Sequence, residues 1–216
     1  MSRRIDYICL LDLTDNFLSK ISENAALIEE HWNFLRILKK DKQLTLAGTS
    51  LDAFYEIIIL SSKNEKEALE IIMRDPLIQK EVLDYSVCPI RSSLVTSAQI
   101  KQHLEEKDAT IETVYTLENT DQYFSTITGR PTFINDLTEE EGKIMGNHFQ
   151  YLKKRYDEKK LIFAGPILCE DKFGVTIFLA SDYDEALYYV NNDPSVKAKL
   201  MKPGLHPFRV LLMGNS

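Results

Sequence analysis

The sequence lacks the residue patterns that define several classes of protein. Its 216 residues contain only three cysteines, Cys9, Cys88 and Cys169, which are far apart, odd in number and form no C-x-x-C pair. A disulfide scaffold and a zinc site are therefore not expected, and each cysteine is predicted to be a small buried apolar group. Glycine-rich nucleotide loops and the G-x-S-x-G motif are also missing. We predict no cofactor, and no metal, because neither His103 nor His206 forms a ligand pattern with a second His, Cys or carboxylate.

Basic charge and long apolar runs are also scarce. The chain has 26 Lys and Arg against 33 Asp and Glu, which gives a formal net charge of −7. A surface that follows nucleic-acid phosphates needs clustered basic residues, so we expect no nucleic-acid partner. The longest apolar runs, such as Ile57–Leu60, are too short to cross a bilayer, and no signal-peptide pattern is visible. We therefore expect no membrane partner and a cytoplasmic location.

What the sequence does contain is an internal repeat. His31 begins the segment His-Trp-Asn-Phe-Leu, and His148 begins His-Phe-Gln-Tyr-Leu; an Ala-Gly pair and later an Asp-Pro pair follow each of them. Adding 117 carries His31 to His148, and adding 118 carries Asp75 to Asp193. One inserted residue between these marks explains both offsets. This ordered agreement indicates duplication of a unit of about 90 residues.

Hydrophobic periodicity and capping signals predict the same order of elements in both repeats. That order is strand, helix, strand, strand, helix, strand. In the first repeat the predicted elements are 6–13, 22–40, 44–48, 55–60, 64–73 and 85–94. A helix at 97–106 and a strand at 110–117 are predicted between the repeats. In the second repeat the elements are a weak strand from 123 to about 129, then 138–158, 161–165, 174–179, 184–191 and 208–212.

This order is typical of the ferredoxin-like fold, an antiparallel sheet with both helices on one face. We predict an α+β protein with two ferredoxin-like (βαββαβ) repeats, packed sheet to sheet as an intramolecular pseudo-dimeric α/β barrel. The first repeat is predicted to occupy residues 1–94, a connector 95–121 and the second repeat 122–216. Each repeat would be the partner of the other, and assembly into a homo-oligomer is left open.

The chemistry is expected at a histidine and an aspartate in each repeat. The histidine stands beside the apolar stripe of the first helix, and the aspartate stands where the second helix ends, so the two side chains could meet. An aspartate beside an imidazole fixes its tautomer and raises its basicity, which favours a general acid or base. The structural alternative is that Asp75 and Asp193 cap the turns that begin with the following proline. His31 and His148 would then be packing residues.

Two further features have a functional and a structural interpretation. Gly48 and Gly165 are each predicted to end a strand where a positive φ or a close backbone approach is needed. The turn after Gly165 could offer N–H groups to an anion. Arg91 and Arg209 could pair with a ligand carboxylate, or they could be surface or ion-pair residues.

The second repeat resembles the YCII-related (YciI-like) family. The segments that carry the resemblance are Thr138-Glu-Glu-Glu-Gly-Lys, His148-Phe-Gln-Tyr-Leu, Leu161-Ile-Phe-Ala-Gly165-Pro166, Asp184-Glu-Ala186, Asn192-Asp193-Pro194 and His206-Pro-Phe208. Residues 6–94 resemble a more diverged copy, with Thr49 where the second copy has Pro166. We therefore expect the second copy to hold the better-formed pocket.

The resemblance implies a unit of the dimeric α/β-barrel superfamily with a proposed catalytic His–Asp pair. Carried over to this sequence, the pairs are His148 with Asp193 and His31 with Asp75. One class of members dehydrochlorinates chlorinated hydroquinones, whereas most members have no established reaction. We also expect ligand contacts from Gly165, Pro166 and Arg209; their identification as ligand-binding residues is a prediction.

The leading hypothesis is a cofactor-independent lyase or hydrolase that acts on a small aromatic or anionic molecule. The alternative is a non-catalytic small-molecule binding or regulatory module that uses the pairs structurally. A protein-interaction domain is a third hypothesis, for which a large exposed apolar patch would be the sign.

Overall fold

The computed structural model describes residues 4–15, 26–52, 55–96, 104, 120–133, 135–169 and 174–214. The helix predicted at 97–106 lies outside this part of the chain except for Leu104, and the strand predicted at 110–117 lies wholly outside it. The described residues fall into two compact units. One takes its residues from 1–90, 102–117 and 209–216, and the other from 91–101 and 118–208.

The first unit is an antiparallel sheet with helices packed against it. Along the sheet the order of its strands is β4-β1-β3-β2. Its elements are β1 (Ile5–Leu13), α1 (Ala26–Lys40), β2 (Leu44–Ser50), β3 (Glu56–Ser62), α2 (Glu65–Ile72), α3 (Pro76–Gln79) and β4 (Leu83–Ile90).

Helix α1 follows from the apolar stripe in its sequence. Trp32 and Leu35 on that stripe are buried, and they join a core that also contains Ile58 and Leu60 of β3. The β-branched isoleucines of β3 favour a strand. The predicted cap of α2 is present, because the side chain of Asn64 accepts a hydrogen bond from the backbone N–H of Glu67 at 2.9 Å.

The second unit has the same kinds of element in the same order, preceded by one additional short strand, β5. Its strands are ordered β9-β6-β8-β7-β5 and are antiparallel. The part of β9 from residue 209 onward belongs to the first unit. The elements are β5 (Leu94–Val95), β6 (Gln122–Thr128), α4 (Glu139–Asp157), β7 (Leu161–Pro166), β8 (Gly174–Leu179), α5 (Tyr183–Asn191), α6 (Pro194–Lys197) and β9 (Lys202–Met213).

Helix α4 begins at the predicted capping box. The Thr138 hydroxyl accepts a hydrogen bond from Glu141 N at 3.2 Å, and the Glu141 carboxylate accepts one from Thr138 N at 2.9 Å. Both groups satisfy backbone donors that the first turn would leave unpaired. The start of α4, and with it the position of His148, is therefore fixed by local sequence.

The prediction of an α+β fold with an antiparallel sheet is confirmed. The positive φ predicted as one reason for Gly48 and Gly165 is wrong, because Gly48 lies within β2 and Gly165 within β7, and no glycine of the described residues has a positive φ. The other reason, a close approach of the backbone, stays a prediction. Strand β7 continues past Gly165 to Pro166, which has no N–H to offer, so no turn begins directly after Gly165. Anion binding by the turn that follows stays a prediction.

The cysteine prediction is confirmed for Cys9. Cys88 is buried as predicted, but a disulfide was not expected for Cys88 or Cys169. Cys9 is fully buried and free, whereas Cys88 and Cys169 are disulfide-bonded. Separately, none of the helices in the described ranges combines the length and the apolar character that crossing a membrane requires.

Candidate functional site

The second unit brings His148 and Asp193 together. His148 lies on α4, and Asp193 immediately precedes α6. Nδ1 of His148 is 2.7 Å from Oδ2 of Asp193, and the two side chains are 11% and 8% exposed. With Asp193 ionised, Nδ1 carries the ring proton and donates a hydrogen bond to the carboxylate. Nε2 is then the ring nitrogen left for a ligand, and no hydrogen bond or ion pair of a described residue engages it.

Asp193 has a second role, which is to cap α6. Its Oδ1 accepts hydrogen bonds from Ser195 N at 2.8 Å and Ser195 Oγ at 2.6 Å. The capping role and the histidine contact therefore use different oxygens and coexist. Because both oxygens are engaged, the carboxylate is fixed in orientation, and so is the imidazole that it contacts.

The electrostatics keep this carboxylate ionised. Burial alone raises the pKa of Asp193, but the hydrogen bond and charge of His148, together with the hydrogen bonds from Ser195, lower that pKa below its ordinary value. An ionised Asp193 therefore holds the imidazole of His148 through Nδ1 and leaves Nε2 as the nitrogen without this contact.

His148 lines a cavity of about 310 Å³ that lies wholly within the second unit. This volume is at the lower end of the range of small-molecule sites, about 300–1,000 Å³. The wall is mostly apolar and also includes Gly165 and Pro166 of β7. The remaining lining residues are Arg91, Ser93, Leu94, Ile127, Phe133, Leu137, Met145, Phe149, Leu152, Ala164, Gly174, Val175 and Thr176.

Gly174 keeps one wall of this cavity free of a side chain. It is the first residue of β8 and pairs with Ile127 of β6. A Cβ at Gly174 would lie 3.2 Å from Cγ1 of Ile127, which is closer than an ordinary contact. The absence of a side chain at this position therefore contributes to the open space beside α4.

The first unit contains the corresponding pair, and there both side chains are fully buried. Nδ1 of His31 is 2.8 Å from Oδ2 of Asp75, and neither side chain has any exposure. Asp75 also caps α3, since its Oδ1 accepts a hydrogen bond from Leu77 N at 2.9 Å. The geometry of the pair is thus the same in both units.

The difference is a third residue, Glu56. Oε1 of Glu56 lies 2.7 Å from Nε2 of His31, an ion-pair contact without the alignment of a good hydrogen bond. Glu56 is opposite Leu11 in the pairing of β3 with β1, as Gly174 is opposite Ile127. Nε2 of His31 therefore meets a carboxylate where the second unit has a glycine and a cavity.

His31 is consequently charged. Burial lowers the pKa of an imidazole, but here the charge and close contact of Glu56, together with the hydrogen bond and charge of Asp75, outweigh burial and raise the pKa of His31 to about 10. A fully buried histidine that stays protonated near neutral pH cannot act as a base there. The first pair is therefore built as an internal ion cluster.

Of the residues predicted to bind ligand, two line the cavity and one does not. Gly165 and Pro166 are in the wall, whereas Arg209 is absent from it and Arg91 is present. Sequence reasoning missed Gly174 and its counterpart Glu56. The signal was available, because the offset of 118 carries Glu56, an acidic residue before three isoleucines, to Gly174.

No group of three or more His, Cys, Asp and Glu side chains within the described ranges is arranged to hold a metal ion.

Comparison with known proteins gives the class of the second unit and the fold of the chain. A YCII-related domain is present at residues 122–203, where the chain matches the model of that family. No significant match to a curated protein sequence was found.

Solved structures resemble the chain over almost its whole length. A candidate chlorite dismutase superposes with a TM-score of 0.56 at 12% identity, covering 96% of this chain and 95% of its own. A chlorite dismutase variant of Candidatus Nitrospira defluvii gives a TM-score of 0.54 at 9% identity, with 96% and 90% covered. A candidate monooxygenase of Lactobacillus acidophilus gives 0.54 at 8% identity, with 98% and 96% covered. At these identities the similarity establishes a shared fold and nothing about activity.

Proposed function

We propose that the second unit is an acid/base catalytic site for a small molecule, with His148 as the acid or base and Asp193 as the residue that orients it. The observation that carries this proposal is that His148 is bonded to Asp193 through Nδ1 at 2.7 Å while it also lines a cavity of about 310 Å³. A general base needs a fixed tautomer and a free nitrogen within reach of its substrate, and this arrangement supplies both.

The reaction class proposed is that of a lyase or a hydrolase. In a lyase reaction, Nε2 of His148 removes a proton from the substrate, and the resulting electron pair expels a leaving group from the adjacent atom. In a hydrolase reaction, Nε2 takes the proton from the attacking water, whose oxygen bonds to the electrophilic atom of the substrate. The bond to the leaving group then breaks, and the imidazolium returns the proton to that group. In both, Asp193 stays ionised and stabilises the imidazolium that forms.

The proposed architecture is a duplication, in which residues 1–94 and 122–216 are two copies of one ferredoxin-like unit joined by the connector 95–121. Two observations support it. The order β4-β1-β3-β2 in the first unit corresponds to β9-β6-β8-β7 in the second. The register also corresponds, since Leu11 faces Glu56 as Ile127 faces Gly174.

The test of the catalytic proposal is turnover of a panel of small chlorinated hydroquinones and aryl esters. His148→Gln keeps the volume and polarity of the side chain but removes its acid/base function, so a rate loss of about 10²–10⁴-fold is expected. His206→Gln is the matched control, since His206 is in the same unit and does not line the cavity. Undiminished turnover in His148→Gln would contradict the proposal.

One observation favours the alternative, a binding module in which the pair is structural. The His31–Asp75 pair persists in the first unit with both side chains fully buried and out of reach of any ligand. Under this alternative, ligands bind the cavity, no compound of the panel is turned over, and Asp193→Ala costs about 1 kcal/mol of stability, as the loss of a helix cap does.

A further inference from the structure

We propose that the ligand of this cavity is a small carboxylate with an apolar, aromatic-sized body, and that Arg91 is the counter-ion of its carboxylate. This inference names the ligand class of the site proposed above and rests on that site being a ligand site. It does not require turnover.

The first observation is the charge of the wall. Arg91 is the only Lys or Arg among the described lining residues, and no Asp or Glu is among them. His148 is the one other side chain there that can carry a positive charge. The chain as a whole has a formal charge of −7, so a wall without carboxylates differs in sign from the average surface. Such a wall attracts an anion and contains no negatively charged group that would repel it.

The second observation concerns Arg91 itself. Its backbone N–H donates to the carbonyl oxygen of Pro166 at 3.1 Å, and the backbone N–H of Ser93 donates to that of Ala164 at 3.0 Å. These bonds tie the main chain of the segment to β7, in the wall of the cavity. The Arg91 side chain is exposed, and no ion pair within the described ranges engages it. The main chain of Arg91 is thus held at the wall, and its guanidinium, which has no acidic partner among the described residues, can bind a ligand anion.

The third observation is the rest of the wall, which suits an apolar body. Phe133, Met145 and Leu152 present apolar surface. Leu137 and Phe149 also line the cavity although they are 46% and 42% exposed, respectively. Large apolar side chains left open to water at a cavity are a sign of a binding surface. A flat aromatic ring would cover them and could lie beside the imidazole of His148.

One cation favours a carboxylate over a phosphate. The planar fork of a guanidinium matches the two oxygens of a carboxylate and binds them side by side. Phosphate sites commonly combine several cations or a helix N-terminus with backbone N–H groups, and the described wall offers a single arginine. Ser93 and Thr176 supply the hydroxyl groups of the wall, and the hydroxyl of Ser93 also donates to the Arg91 carbonyl oxygen at 3.3 Å.

The test is calorimetric binding of matched pairs that differ only in charge. Benzoate, salicylate and cyclohexanecarboxylate are each compared with the corresponding amide, and phenyl phosphate is included as the other anion. At least one carboxylate is expected to bind tenfold or more tightly than its amide and than phenyl phosphate. Arg91→Gln should remove that preference and leave amide binding unchanged, whereas Arg209→Gln, which alters an arginine outside the wall, should leave both unchanged.

The result that overturns the inference is a panel in which no carboxylate exceeds its amide, or a preference that survives in Arg91→Gln. The catalytic proposal fails separately, through turnover that survives in His148→Gln. A charge preference lost in Arg91→Gln together with turnover retained in His148→Gln would uphold the ligand class and reject the catalytic role.

Discussion

The two His–Asp pairs of this protein have the same geometry and opposite surroundings. In each, Nδ1 of the histidine contacts one carboxylate oxygen of the aspartate, and the other oxygen caps a short helix. In the first unit Glu56 meets Nε2, whereas in the second unit a glycine occupies the corresponding position beside a cavity. A His–Asp pair alone is therefore not sufficient to form a ligand site. The residue facing Nε2 decides whether the histidine is an ion in the core or a group that a ligand can reach.

The largest expected effect is on stability, from removal of His31. His31→Ala leaves Asp75 and Glu56 buried without their shared cation, and breaking a buried ion pair in this way costs about 3–5 kcal/mol. His148→Ala should cost less, about 1–2 kcal/mol, because water in the cavity can replace part of the lost hydrogen bond. Urea unfolding of the two variants measures the difference, and equal losses would contradict the contrast between the units.

The second expected effect is on ligand binding, from closing the cavity. Gly174→Glu introduces the side chain that the first unit has at the corresponding position, and a carboxylate beside His148 also repels an anionic ligand. Binding of the best carboxylate of the calorimetric panel should weaken at least 100-fold, or about 2.7 kcal/mol.

The control for this prediction is Gly174→Ala, which adds only a Cβ 3.2 Å from Cγ1 of Ile127. A tenfold loss or less is expected for this variant. Wild-type affinity in Gly174→Glu would show that Gly174 does not determine access.

The third expected effect is a dependence of stability on pH. The pKa of His31 is raised in the folded protein from 6.5 to about 10. Its stabilising contribution is therefore fully present below about pH 6.5, falls as the pH rises and is lost once the pH passes about 10. The difference in unfolding free energy between wild type and His31→Gln should shrink across this window. A constant difference would mean that His31 is not charged.

The stability that Asp193 contributes in the second unit is expected to depend on pH in acid. The pKa of Asp193 is lowered from 3.8, so its contribution is present above that value and is lost as the pH falls through the folded pKa. The difference in unfolding free energy between wild type and Asp193→Asn, followed in acid, should shrink as the pH falls. A gap that grows in acid would contradict an ionised Asp193.

The smallest expected effect concerns Ser195, which corresponds to Leu77 in the first unit. Its hydroxyl donates to Asp193 at 2.6 Å, so Ser195→Ala removes one side-chain hydrogen bond and should cost about 0.5–1.5 kcal/mol. The remaining backbone hydrogen bond keeps the cap, so a value near the lower limit is expected. Chemical denaturation measures the loss of stability. A loss as large as that of His31→Ala would show that the Ser195 hydroxyl does more than donate one hydrogen bond to Asp193.

Much of the fold could be predicted from the sequence because its signals are local. The capping box at Thr138 and Glu141 and the Asp-Pro starts of the two short helices depend on neighbouring residues, and all are present. Strand ends were less accurate, as in β9, which begins at Lys202 rather than near Phe208. The alternation of apolar and polar side chains is weak in the first residues of β9, because they include Pro203 and Gly204.

The environment of the site could be predicted only in part. The meeting of each histidine with its aspartate followed from the order of elements, since both helices cover one face of the sheet. Whether Glu56 or a glycine stands at the position beside the histidine depends on strand register, and hydrophobic periodicity does not determine that register. Arg91 was predicted as a possible partner of a ligand carboxylate, but its place in the cavity wall was not predicted. Residues 91–101 belong to the second unit although they lie well before its main part, 118–208, in the sequence.

The most direct test of the account is ethoxycarbonylation of the histidines near neutral pH, followed residue by residue by mass spectrometry of peptides. The reagent attacks an accessible, uncharged imidazole nitrogen. His148 should be modified rapidly and be protected in Gly174→Glu, whereas His31 should resist modification until the protein unfolds. Equal labelling of His31 and His148 in the folded protein would contradict the claim that the same pair is open in one unit and closed in the other.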